Sequence, residues 1–379
     1  MMRLFRRHLL FSTVLVLTSL VSGHARQTSG TLPEQLSDKA FWTLVSEMSE
    51  PSGVFPPSEN FVSNERSFQQ VVDALANNQR PASAYLGVGP EQNFTYIVAL
   101  RPRIAFVLDI RRQNMLQHLM YKALFELSTD RADFLARLFS RPRPANLGVN
   151  TSAANLVEAF AGVEADSTRL ADTVKIVTDH LVKTHGFPLP AADRSGLERV
   201  LTAFSIGGPG LTYDGPFPRL GSAFPTFGDL MLEVDEKGTE RGFLATEDHF
   251  RAIQTLQKRN LLIPIVGDFA GPTALKAVGR YLREHDATVS AFYTSNVEQY
   301  LFLNNVAQTF YSNASTLPVG SNSVIIRSVV RTPGGQLSPS PAMTFSSHLE
   351  TMLFPIPELL SRFGSGSIAG YHDVLGAVR

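Results

Sequence analysis

The stretch from residue 82 to residue 110 constrains this chain most. Ala82 to Val88 is a short apolar run ending in Gly87-Val88-Gly89-Pro90. A helical segment follows from Glu91 to Leu100, then a second apolar run, Ile104 to Ile110, with Asp109 near its end. Strand, glycine turn, helix, strand is the pattern of a parallel βαβ unit, and runs of this kind suit strands buried on both faces. The alternation resumes later: strands are expected at Leu261–Val266, Thr288–Tyr293 and Val324–Val330, with helices over Pro272–His285 and from Asn296 to Phe310. The expected fold class is α/β, a doubly wound, mostly parallel sheet interrupted by a large helical and hairpin insertion.

The remaining segments fill in around that frame. Residues 26–80 read as a helical lead-in: Phe41, Leu44, Val45 and Met48 share one helical face, and Phe68, Val71, Val72 and Leu75 another. Residues 81–140 open the sheet domain, 141–260 are the insertion and 261–379 complete the sheet. Within the insertion, 141–205 carries helical spacing without a strand signal. Gly207 to Gly228, with six glycines, four prolines, Tyr213, Phe217, Phe224 and Phe227, is read as a cover over the mouth of the sheet. Leu230–Val234 and Gly242–Thr246 flank Asp235-Glu236-Lys237-Gly238 and suggest a hairpin. Thr246 is placed to cap a helix whose first turn is acidic and whose last is basic. His348 to Phe363 reads as a closing helix interrupted by Pro355 and Pro357.

The N-terminus reads as an export leader. Arg3, Arg6 and Arg7 precede an apolar run from Leu9 to Val21, and Gly23-His24-Ala25 offers small residues to a signal peptidase. Residues 1–25 are therefore expected to be a signal peptide cleaved near Ala25, with the protein working in the periplasm or outside the cell. Arg6-Arg7 before Leu9-Leu10 also fits a twin-arginine signal, whose cargo is exported already folded. No later segment is apolar enough to span a membrane. The chain has 34 basic and 34 acidic residues, so no basic face marks it for nucleic acid. It has no cysteine, which excludes disulfides, thiolate metal sites and thiol nucleophiles.

The first βα turn carries the chemistry. Its glycines permit close approach of a ligand to the backbone, and a following helix N-terminus offers N–H groups. Asp109 lies 20 positions after Gly89, at the end of the second strand, where an acid accepts hydrogen bonds from ribose hydroxyls. With Gly267-Asp268-Phe269-Ala270 after the third expected strand, the chain resembles the class I S-adenosylmethionine-dependent methyltransferases. That resemblance implies a Rossmann-like fold and S-adenosylmethionine as the small-molecule ligand. It also implies a loop formed by Gly87, Gly89, Glu91 and Asn93, a ribose contact at Asp109, a base contact at Asp268 and a substrate contact at Asn296. Tyr85 stands where that family has an acid, Glu91 where it has a third glycine, and Ser295-Asn296 where an acid or Asn-Pro ends the fourth strand. The stretch Tyr85 to Tyr96, YLGVGPEQNFTY, also resembles the hallmark of an uncharacterised bacterial family.

Other chemistries lack their motifs. There is no GxSxG elbow, no GxxxxGK[ST] phosphate loop and no HExxH helix, and the missing third glycine makes nicotinamide cofactors a poorer fit. His180 and His185, five apart, read as surface residues, so no metal is expected. No general base is identifiable. Two functions remain open: a methyltransferase-like protein binding an adenosine-bearing ligand, and a non-catalytic binding module with a degenerate loop.

Overall fold

The computed structural model describes residues 31–55, 59–80, 83–217, 224–331, 337–338 and 349–375. The expected leader, residues 1–25, lies outside the described residues, as do residues 218–223 of the expected cover.

Helix α1 (Asp38–Met48) is capped by Ser37, whose hydroxyl accepts from the Ala40 N–H, and buries Phe41, Val45 and Met48. A 3₁₀ turn (Phe68–Val71) runs into α2 (Val72–Ala76). Then come β1 (Ser83–Gly87), α3 (Gln92–Leu100), β2 (Ile104–Asp109), α4 (Arg112–Leu127) and α5 (Arg131–Leu138). The insertion supplies α6 (Ala153–Ala161), α7 (Ser167–Asp179), a π-helical turn (His180–Thr184), α8 (Ala191–Gly207), α9 (Phe227–Met231) and α10 (Glu247–Lys258). The sheet resumes with β3 (Leu262–Val266), α11 (Ala274–Glu284), β4 (Thr288–Ser295), α12 (Val297–Leu303), α13 (Ala307–Ala314) and β5 (Val319–Arg331). It closes with β6 (Leu337–Ser338), β7 (Leu349–Pro355), α14 (Ile356–Gly364) and α15 (Tyr371–Leu375).

The strands form one sheet of order β3-β2-β1-β4-β5-β6, with β7 also paired to β5. β1 through β5 are parallel to their neighbours; β6 and β7 run antiparallel to β5. Every residue of β1, β2 and β3 is buried, as strands covered on both faces must be. One helix group, α2, α3, α4 and α10, packs among itself, and a second group, α1, α11, α13 and α14, does likewise. The chain leaves β1 for β2 and β3 on one side, then returns to β4 on the other. The order thus reverses between β1 and β4, and a crevice opens beyond the strand ends at such a switch point.

Three expectations change. The helix expected from Asn296 to Phe310 is two, α12 and α13, separated where Asn305 takes a left-handed φ of 57°. The hairpin at 230–246 is absent: Leu230 and Met231 lie in α9, because Thr226 and Asp229 form a reciprocal capping box that starts a helix there. Only a single bridge, Val234 to Glu240, remains, around a tight turn in which the Asp235 carboxylate accepts from the N–H groups of Lys237 and Thr239. The expected closing helix is instead β7 followed by α14. The free edge of β5 takes Leu349–Pro355 as a partner over seven residue pairs, and Pro357 then sits in the first turn of α14, where a missing N–H costs nothing. Among the described residues, no helix is long and apolar enough to cross a membrane.

Candidate functional site

A cavity of about 180 Å³ opens at the C-terminal strand ends. The β1 loop lines it with Val88, Gly89 and Pro90, β2 with Asp109, Ile110 and Arg111, β3 with Gly267, Asp268 and Phe269, and β4 with Tyr293, Ser295 and Asn296. The lead-in supplies another wall, including Phe55, Asn60 and Glu65, and Tyr213 reaches in from the glycine-rich segment. Of the residues singled out from sequence, Gly89, Asp109, Asp268 and Asn296 are therefore brought together. Gly87, Glu91 and Asn93 are not in the lining.

Those three shape the loop from beneath. The Asn93 side-chain amide donates to the carbonyls of Val88, Gly89 and Pro90 at 2.9, 3.1 and 2.7 Å, and its oxygen accepts from the Tyr85 hydroxyl at 2.8 Å. A Cβ at Gly87 would sit 1.9 Å from that same Asn93 oxygen. Gly87 is small because the chain wraps around Asn93, and the close approach it permits is to this side chain. Gly89, at φ +77°, needs its freedom for backbone conformation. His118 adds a further support, its Nε2 lying 2.9 Å from the Gly89 carbonyl. Burial pushes its pKa down to about 4, so the ring is neutral and donates this bond.

Glu91, fully buried, points into the protein and accepts from the Ser63 N–H at 3.0 Å, leaving Oε2 without a partner. Burial raises its pKa to about 7. Glu91 thus lies outside the cavity lining, its carboxylate turned toward Ser63.

Asp109 is buried and already engaged. Arg111 donates from its backbone N–H and Nε to Oδ1, at 2.9 and 3.0 Å, and from Nη2 to Oδ2 at 3.0 Å. Arg111 also hydrogen-bonds Tyr213. With the Asn60 amide oriented to satisfy its neighbours, Asn60 accepts from Arg111 at 2.6 Å. One guanidinium thereby ties the β2 end to the lead-in and to the glycine-rich segment. Arg112 turns away and forms a bidentate pair with Asp193 of α8, at 2.7 and 2.6 Å. Asp268 accepts from the Ala270 N–H through Oδ1 at 2.9 Å. Next to it, Glu50 accepts from the N–H groups of Asp268, Thr273 and Ala274, satisfying the start of α11 from the end of the lead-in helix.

Glu65 was not visible as a site residue. It is buried at the cavity wall and accepts from Gln92 Nε2 at 2.8 Å, from the hydroxyls of Ser295 and Ser328, and from Tyr293. Its only sequence signal is an acid in a Pro-, Ser- and Asn-rich stretch before the first strand. Among the described residues, Glu65, Asp109 and Asp268 are the acidic side chains of the lining and Arg111 the one basic side chain.

A family model described as a domain of unknown function, DUF7790, matches residues 60–167 and 227–357, more than half of the chain. The chain belongs to that family. The DUF7790 match takes in the β1 loop, Glu65, Asp109, Arg111, Asp268 and Asn296, and leaves out the segment that carries Tyr213. No curated protein matches the sequence.

Proposed function

We propose that the cavity binds an adenosine-bearing ligand, with S-adenosylmethionine the first candidate, in a methyltransferase-like Rossmann arrangement. The observation that carries this reading is the lining itself: acids from adjacent strand ends, Asp109 and Asp268, face the same cavity as Gly89 of the loop at the switch point of the sheet. Phe55, Ile110, Phe269 and Tyr300 give apolar surface to a base and ribose. Among the described lining residues, three carboxylates against one guanidinium favour a ligand with positive charge, which a sulfonium and an ammonium supply. Asp109 Oδ1 already accepts two donors and Oδ2 one, so Asp109 has room for a single ribose hydroxyl unless Arg111 moves. Methyl transfer from such a ligand needs chiefly an aligned nucleophile. The leader argues for work outside the cytoplasm, and a twin-arginine route would carry the folded protein out with its ligand.

The second reading is a non-catalytic binding module, and the Asp109–Arg111 pair favours it, since it fills much of the ribose position with the protein's own groups. Calorimetry of the folded chain with S-adenosylmethionine and S-adenosylhomocysteine separates the two. In Asp268→Asn the carboxamide can still accept from Ala270, but it presents a donor where the base amine needs an acceptor. Adenosine-ligand affinity is expected to fall about tenfold or more, with preference moving toward the inosine analogue. An unchanged affinity removes Asp268 from the site. No heat from native, folded protein with either ligand leaves the binding module.

A further inference from the structure

The two histidines that read as surface residues meet at the other end of the molecule. Around an α-helix, residues five apart point roughly 140° away from each other. Here the chain closes a π turn instead, with His185 N–H on the His180 carbonyl at 3.1 Å, which brings both rings to one side. Their planes meet edge to face at 4.8 Å and 86°. Both Nε2 atoms converge on one carboxylate oxygen of Glu126 near the end of α4, at 2.7 Å from His180 and 2.6 Å from His185. The three side chains are only 17%, 11% and 7% exposed for His180, His185 and Glu126, within reach of solvent but not solvated.

We propose that Glu126, His180 and His185 bind a transition-metal dication of the zinc type, with Asp38 as the outer partner that orients His185. The three ligand atoms lie within 4.8 Å of one another. Tetrahedral ligands at 2.0–2.1 Å from zinc stand roughly 3.3 Å apart, so the two Nε2 contacts need to open by less than about 1 Å. The metal takes the place of the Nε2 protons that now point at Glu126, and water completes the fourth position.

Three features hold the ligands in place. Asp38 Oδ1 lies 2.7 Å from His185 Nδ1 and also accepts from Asn260 at 2.9 Å, the carboxylate–histidine arrangement that fixes a ligating tautomer. The His185 ring stacks on Phe187 at 5.0 Å and 14°. The second Glu126 oxygen accepts from Lys122 at 2.6 Å, which leaves the first oxygen to act as a single-atom ligand. Two imidazoles and one carboxylate select zinc, cobalt or nickel over magnesium or calcium, which prefer all-oxygen shells. The site is independent of the strand-end cavity, and both histidines lie between the two stretches of the family match.

The test is titration of the full chain, freed of metal by chelation, with Zn²⁺ and with Co²⁺. One equivalent of each is expected to bind, with a rise in Tm and, for Co²⁺, the visible absorption of a low-coordinate histidine site. His180→Ala/His185→Ala is expected to weaken binding at least 100-fold, and Asp38→Asn about 10–100-fold. His249→Ala, which alters a histidine outside the cluster, should leave it unchanged. If the double variant does not fold by circular dichroism, His185→Gln serves in its place, with the same loss expected. Absence of saturable Zn²⁺ and Co²⁺ binding by the native chain, or binding undiminished in the folded histidine variants, overturns the proposal. In that case the cluster is a hydrogen-bond network joining α1, α4 and the π turn.

Discussion

At the exit ends of the strands, Asp268 uses one carboxylate oxygen on a local N–H and has no partner for the other among the described residues. At the entry ends, charged groups are linked in a chain: Asp38 to His185, His185 to Glu126, Glu126 to Lys122, and Lys122 on to Asn260 and the Gln257 carbonyl. The exit end is built largely from loops that follow strands, and there Asp268 keeps acceptor capacity while Asp109 and Glu65 are already engaged by Arg111 and by neutral donors. The entry end is built from side chains of packed helices, so each buried charge has to be met by another. The proposed organic-ligand site rests on the acceptor capacity left at Asp268, and the proposed ion site on the converging ring nitrogens of His180 and His185.

The largest effect expected from this contrast is on stability. Glu126→Ala strips the carboxylate from Lys122, which is 1% exposed, and should cost about 3–5 kcal/mol in urea unfolding. A cost below about 1 kcal/mol would mean the entry-end network is not a charge-compensated unit, and the comparison would fail at that end.

A second test uses pH. Burial raises the Glu91 pKa from 4.5 to about 7, so the native state holds its proton after the unfolded chain has lost it. The associated stability is fully present below the unfolded value of about 4.5 and is lost as pH rises through about 7. The fall is on the order of 3 kcal/mol. Glu91→Gln should flatten this part of the stability–pH curve and leave the variant with the higher Tm at pH 8. Because burial raises the Glu233 carboxyl to about 7 as well, the readout is the difference between the two proteins: a Glu91→Gln curve parallel to wild type across that window would show that Glu91 is not held protonated by burial.

The smallest effects separate the two glycines of the loop. Gly87→Ala drives a Cβ into Asn93 and breaks up the bonds that hold three loop carbonyls, an expected cost of about 2–4 kcal/mol. Gly89→Ala meets no atom closer than 3.7 Å and should cost only the left-handed backbone strain, about 1 kcal/mol. The reverse order in thermal unfolding would mean that the loop is shaped for a ligand and not around Asn93.

Much of the frame was legible because it rests on local pattern. Continuous apolar runs bounded by glycine turns gave β1, β2 and β3 to within a residue or two. The Thr246 cap is present, accepting from the His249 N–H at 3.2 Å. Turn and spacing single out Gly89 and Asp109, the family resemblance singles out Asp268 and Asn296, and all four share one lining because parallel strands deliver their C-terminal loops to a common edge.

What local pattern does not contain is the identity of a partner distant in sequence. Leu349–Pro355 is a strand because β5 has an edge to pair, and nothing within those seven residues says so. Asp109 is an acid at a strand end from sequence, but its pairing depends on Arg111 turning back toward it and Arg112 turning away to Asp193, 81 residues on. His180 and His185 converge only because a π turn and a carboxylate from α4 meet there. The sequence determined the first three strands and most of the helices, through hydrophobic periodicity and turn chemistry that act over a few residues. Tertiary packing decided which side chains face a cavity and which face each other, because the donors and counter-charges that meet buried groups such as Glu65, Asp109 and Glu126 come from distant parts of the chain.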